Sequence, residues 1–153
     1  MLTNTDIEEI CEKLKLNCIG VYSKDQLPKE RRVGGYYINM EDSDKGDGSH
    51  WVFANIFPCG KAIYFDSFGI GMPPDIHAFL KPFAPIACSN RQIQDLKAET
   101  CGWFCIACHY YFTYDADPKK RSIDDCYDDF LNMWSWDTTK NNKILKEYLG
   151  IVK

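Results

Sequence analysis

Ile7, Ile10, Cys11 and Leu14 recur at helical spacing behind Thr5 and Glu8, a pair that reads as a capping box. Residues 17–29 have mixed polarity, reach Pro28 and predict mostly loop. After Gly34-Gly35 the run 36–39 predicts a short strand, and the acidic, glycine-bearing stretch 41–49 predicts a surface loop. Two apolar runs, 51–57 and 62–65, flank Pro58-Cys59-Gly60-Lys61, which is a β-hairpin signature with strands partly buried on both faces. Pro73-Pro74 opens a short helix with Ile76, Phe79 and Leu80 on one side, and 84–88 predicts another short strand. From Cys101 to Phe112 there is no Asp, Glu, Lys or Arg, so this segment predicts a central buried helix. A polar connection over 115–121 leads to a second capping box, Ser122 with Asp125. Ile123, Cys126, Tyr127, Phe130, Leu131 and Trp134 then form an amphipathic stripe, and 141–149 predicts a terminal helix. Helices grouped around a small mixed sheet make an α+β fold, expected as one domain over 1–153.

Composition narrows the class. The chain has 153 residues, 45% hydrophobic and 26% charged, enough for a real core. Its formal net charge of −4 disfavours an obligate nucleic-acid binder, which needs clustered Lys and Arg. Eight cysteines would suggest a disulfide framework in a secreted chain. The N-terminal residues show no basic start followed by an apolar stretch, and no run reaches the roughly 18 apolar residues of a membrane span. Reduced thiols inside a cell, with no membrane contact, are the expectation, and most of these cysteines then act as small buried hydrophobes.

Cys101 stands apart because it opens the buried helix. A thiol attacks a carbonyl well only as thiolate, and unpaired amides at a helix N-terminus favour that charge. Gly102 lets backbone and substrate approach closely, whereas Cys105 and Cys108 lie deeper in the same helix. His50 precedes the first hairpin strand and can serve as base, then return the proton to a leaving amine. Asp66 ends the second strand, and folding the hairpin about 58–60 brings it towards His50 to orient the imidazole. A register offset of one or two residues would put Ser67 or Asn55 there instead. Gln94, seven residues before Cys101, offers an amide donor that can complete an oxyanion hole with the Cys101 N–H; Gln92 is its rival.

These residues carry a family resemblance. Gly48-Ser49-His50-Trp51, Phe65-Asp66-Ser67-Phe68-Gly69, and Gln94 with Cys101-Gly102-Trp103-Phe104-Cys105 resemble the adenovirus-type maturation proteases. Within that group the likeness is to proteases of virophages, large DNA viruses and Polinton-like elements, relatives of the ubiquitin-like-protein proteases that process SUMO. Segments 2–7, 20–28 and 35–39 extend it, so it spans about residues 2 to 105. The resemblance implies an α+β fold with Cys101 as nucleophile on a central helix. It makes His50 the general base, Asp66 the orienting acid and Gln94 the oxyanion donor. Trp51 lines the site. No cofactor or metal is implied. The expected function is a cysteine endopeptidase cutting capsid or other virion precursors at glycine-containing sites. Its place would be the cytoplasm or nucleus of a host cell, and the virion. The runner-up is removal of ubiquitin-like modifiers. Adenovirus-type enzymes are basic and take DNA and a short viral peptide as activators. This acidic chain departs from that pattern, although Cys88 offers a disulfide point to such a peptide.

Two other readings share the segment. Cys101, Cys105 and Cys108 have the Cys-x3-Cys-x2-Cys spacing that resembles radical SAM iron–sulfur enzymes, and Cys105-Ile-Ala-Cys108-His109 matches a haem-attachment pattern. The first belongs early in a much larger barrel, and the second needs export and exposure, so neither is expected. A non-catalytic interaction protein on a protease fold is the remaining alternative, and the intact set His50, Asp66, Gln94 and Cys101 argues against it.

Overall fold

The computed structural model describes residues 1–42 and 50–150, so Gly48, Ser49 and most of the predicted 41–49 loop lie outside the described residues. Five strands form one mixed sheet: β1 (Cys18–Ser23), β2 (Gly34–Asn39), β3 (Trp51–Ile56), β4 (Ala62–Phe65) and β5 (Ala87–Cys88), in spatial order β1-β2-β3-β4-β5. β2, β3 and β4 are antiparallel neighbours, while β1 and β5 add in parallel at the two edges. Five α-helices accompany them: α1 (Asn4–Leu14), α2 (Pro74–Leu80), α3 (Cys101–Tyr110), α4 (Ile123–Asn132) and α5 (Asn141–Leu149). The architecture is α+β, as the sequence predicts. No described helix is long and apolar enough to cross a membrane.

The three central strands are buried at every position, more completely than the sequence predicts. Successive side chains in a strand point to opposite faces, and here both faces are covered. Tyr37, Trp51, Phe53, Ile63 and Phe65 join one core with α1, α3, α4 and α5. Tyr36, Val52, Ala54, Ile56 and Tyr64 join the other, which α2 closes with Ile76, Phe79 and Leu80. α3 is thus held inside the larger core, with Phe104, Cys105, Ile106, Ala107 and Cys108 at 0% exposure. An isolated apolar helix has no reason to stay ordered in water, and the sheet on one side and α1, α4 and α5 around it supply that reason.

Three predicted details are corrected. The first helix is capped two residues earlier: the Thr3 hydroxyl accepts from the Asp6 N–H, and the Asp6 carboxylate accepts from the Thr3 N–H at 2.9 Å. Thr3/Asp6 and Thr5/Glu8 have the same spacing, and the helix takes the first pair; such a cap stabilises by about 1 kcal/mol. Residues 17–29 are not mostly loop. β1 occupies 18–23 and pairs in parallel with β2, followed by a 3₁₀ turn at Lys24–Gln26. The strand expected over 84–88 is only Ala87–Cys88, because Pro85 has no N–H to give a ladder. At its far end α3 widens into a π-helical turn, Tyr111–Asp115, before the polar connection.

Candidate active site

The hairpin register decides which groups meet. Phe53 pairs with Phe65 across β3 and β4. Continuing that register past the end of β4 places Phe68 opposite His50 and Asp66 diagonally beside it, on the same face. The side chains follow. His50 Nε2 lies 2.6 Å from Asp66 Oδ1, and the Phe68 ring stacks on the imidazole at 4.6 Å between centroids. Asp66 Oδ1 also accepts from the Phe68 N–H at 2.9 Å, so the turn that places the ring also fixes the carboxylate. Asp66 is the partner of His50. Ser67 turns elsewhere, and Asn55 sits in mid-β3 opposite Ile63.

Cys101 reaches the same point from α3. β4 stops at Phe65, so Trp51 has no strand neighbour on that side, and its N–H donates to Cys101 Sγ at 3.4 Å. One turn along, the Cys105 thiol donates to the Trp51 carbonyl at 3.5 Å. These two contacts bolt the first turn of α3 to the start of β3, next to His50. Cys101 lies close enough to His50 to be one of the groups that raise the pKa of its imidazole. Asp66 occupies Nε2, which leaves Nδ1 as the ring nitrogen not committed to the carboxylate. Thr100 makes no side-chain cap for α3 because its hydroxyl donates to Asn142 Oδ1 at 2.9 Å. The first-turn amides therefore stay available to negative charge at Cys101.

Electrostatics in the site favour a protonated imidazole. Burial works against its charge. The hydrogen bond to Asp66 and the nearby Cys101, with the fields of those two groups, outweigh burial and hold the His50 pKa up to about 9. Asp66 is 1% exposed and Cys101 2% exposed, whereas the His50 side chain keeps 13%, so the cluster meets solvent on the imidazole side.

Gln94 is placed by a different set of contacts. Arg91 donates to the carbonyls of Leu131 and Trp134 at the end of α4, both at 2.7 Å, and its guanidinium lies 3.8 Å from the Trp136 ring centroid. Asn141 Nδ2, at the start of α5, donates to the Ile93 carbonyl at 2.7 Å. Gly69, with φ +71°, brings the loop after Asp66 so close that a Cβ there would sit 2.6 Å from the Arg91 backbone. The Asp66 loop and the Gln94 loop are thus packed backbone to backbone. The Gln94 amide is buried, with Nε2 donating to the Ala98 carbonyl at 2.8 Å, which leaves one N–H of the carboxamide. Gln92 is exposed and donates to the Gln94 carbonyl at 2.9 Å, so it supports this loop rather than competing with Gln94.

Leu2 and Phe68 are site neighbours that sequence reasoning missed. The Trp51 indole N–H donates to the Leu2 carbonyl at 2.9 Å, and the Leu2 side chain covers Gly102, where an added Cβ would lie 3.0 Å from it. Gly102 is therefore a site of close approach, made by the N-terminal segment. Phe68 was legible only as part of a motif, and its stacking on His50 needs the register.

The remaining cysteines and histidines do other things. Cys105 and Cys108 are fully buried, and burial pushes both thiols well above the ordinary range. His109 is buried, with Nδ1 2.8 Å from the Tyr37 hydroxyl, so the haem-like motif is spent on core packing. Near it, Cys11 and Cys18 share one proton-sensitive contact that lowers the Cys11 thiol and raises that of Cys18, with His109 and Tyr37 adding to the lowering of Cys11 against burial. Among the described residues no three His, Cys, Asp or Glu side chains converge as metal ligands.

No family model and no curated protein matches the chain. Among solved structures it is similar to the selenomethionine crystal structure of the ASFV pS273R protease. Identity is 17% and the TM-score 0.48, over 80% of this chain and 46% of that one. The chain spans less than half the length of that protein.

Proposed function

We propose that the chain is a thiol endopeptidase with Cys101 as nucleophile. The observation that carries this reading is the pairing of His50 Nε2 with Asp66 at 2.6 Å, next to Cys101, whose Sγ accepts from the N–H of the adjoining Trp51 at 3.4 Å. In the proposed cycle Cys101 Sγ, its proton held by His50, attacks the scissile carbonyl carbon. The oxyanion that forms is met by the Cys101 N–H and the remaining N–H of Gln94. His50 gives its proton to the leaving amine as the C–N bond breaks, leaving a thioester on Cys101. Water then adds to the thioester, losing a proton to His50, and the thiolate leaves as the carboxylate product forms. Asp66 keeps the imidazole aimed through both halves.

The proposed substrates are capsid or other virion precursor proteins, cut at glycine-containing sites, with no cofactor or metal taking part. The crowding of the first turn of α3 by Leu2 and Trp51 supports a preference for residues without side chains. The test is cleavage of such precursors beside ubiquitin-like fusion proteins. Precursor cleavage at glycine supports the reading, faster cleavage of the ubiquitin-like fusions moves the substrate class to modifiers, and cleavage of neither rejects it.

A pH profile tests the chemistry independently of substrate identity. His50 must carry the proton that the leaving amine receives. Its folded pKa is raised above the unfolded value, so the protonated form and its stabilising contacts are complete below about pH 6.5. Both are lost as pH rises through about 9. Log kcat/KM is expected to fall on an alkaline limb centred near pH 9. A limb near 6.5 would mean that the Asp66 and Cys101 contacts do not operate in solution.

A further inference from the structure

We propose that Ser67 is a positioning residue for the oxyanion donor, holding the Gln94 carboxamide so that its uncommitted N–H faces the reacting carbonyl. This rests on the thiol-protease reading above. The Ser67 hydroxyl donates to Gln94 Oε1 at 2.5 Å, and Gln94 Nε2 donates to the Ala98 carbonyl at 2.8 Å. The Ser67 carbonyl accepts from the Ile93 N–H at 2.9 Å and from the Gln94 N–H at 3.1 Å. Ser67 is 0% exposed and Gln94 1%, so no water competes for these groups.

A terminal carboxamide rotates over a broad, roughly two-fold profile, and the flipped form would aim an oxygen where the donor is needed. An oxygen there repels a developing oxyanion, so a loosened amide loses more than one hydrogen bond. Ser67 and Ala98 pin the two ends of the amide and leave one N–H. Ser67 also follows Asp66 directly. Asp66 turns to His50 and Ser67 to Gln94, so two consecutive residues after β4 set both the base and the oxyanion donor. That joins the proton-transfer half of the site to the charge-stabilising half through one peptide unit.

The test uses the full chain and an acyl-Gly-Gly aminocoumarin amide, with Ser67→Ala, Gln94→Ala and the double variant. Alkylation of Cys101 by iodoacetamide, read on its own peptide by mass spectrometry, runs alongside. Alkylation displaces iodide and forms no oxyanion, so it reports the thiol and His50 without the donor. Ser67→Ala is expected to lower kcat about tenfold to a hundredfold with KM within about twofold. In the Gln94→Ala background the same change should cost less than about twofold, and Cys101 alkylation should stay within about twofold of wild type. Ser67→Thr, which keeps the hydroxyl, should retain most of the wild-type kcat. Three results overturn the inference: wild-type kcat in Ser67→Ala, an equal loss with and without Gln94, or alkylation slowed as much as turnover. A wild-type chain inactive on the amide and on protein substrates overturns the protease reading instead, and the inference with it.

Discussion

Cys101→Ala is expected to abolish turnover, with kcat/KM reduced about 10⁴-fold or more and folding unaffected. The reason is local. Cys101 is the cysteine whose sulfur sits beside His50, on the N–H of Trp51, at the one end of α3 where backbone amides have no helical partner. The same substitution at Cys105 or Cys108 should leave kcat near wild type and cost stability of about 1 kcal/mol, because those thiols are fully buried core atoms. Steady-state kinetics with thermal melts on the three variants checks both halves. Comparable losses of turnover at all three positions would mean that the cysteine-rich run acts as a unit, which the proposed roles do not allow.

Asp66→Ala is expected to lower kcat/KM by roughly 10²–10⁴-fold. The carboxylate does two things: Oδ1 orients His50, and the same oxygen accepts the Phe68 N–H that holds the stacked ring. Its loss frees the imidazole to turn and removes the leading support for the raised His50 pKa, while burial still opposes the charge. The alkaline limb should therefore move down from about 9, and the loss of rate should be steepest above neutral pH. Asp66→Asn keeps an acceptor at the same place and should retain more activity than alanine, with a limb between the two. A pH–rate profile on the three proteins reads this order; an Asn variant no better than Ala would mean that charge, not orientation, is what Asp66 supplies.

Much of this geometry is legible in the sequence, for identifiable reasons. The hairpin is announced by two apolar runs around Pro58-Cys59-Gly60-Lys61, and Gly60 does take a positive φ of 87° in that turn. Once the hairpin is given, the meeting of His50 and Asp66 follows from strand geometry. The uncharged run after Cys101 can only be an interior helix, and Asp66 rather than Ser67 or Asn55 is then settled by one register. β1 hid because Gly20 interrupts it and every residue is half-buried, so no alternation shows. The first cap was misplaced because two pairs share one spacing. Contacts between distant segments were beyond reach: Leu2 on Gly102, Ser67 on Gln94, and Arg91 on the end of α4 have no local signature. Spacing alone left Gln94 and Gln92 as rivals, and only the family resemblance, whose pattern the seven-residue offset from Cys101 matches, preferred Gln94; its commitments to Ser67 and Ala98 had no signature at all.

All the described cysteines are free thiols, and Cys59 and Cys88 are the exposed ones. An acyl-Gly-Gly vinyl sulfone therefore puts the central claim to its most direct test. Treatment of the wild-type chain, followed by intact-mass measurement and peptide mapping, should give a single adduct on Cys101, absent from Cys101→Ala and strongly slowed in His50→Ala. Modification of Cys59 or Cys88 at rates typical of any exposed thiol, with Cys101 left unmodified, would contradict the assignment of Cys101 as the nucleophile.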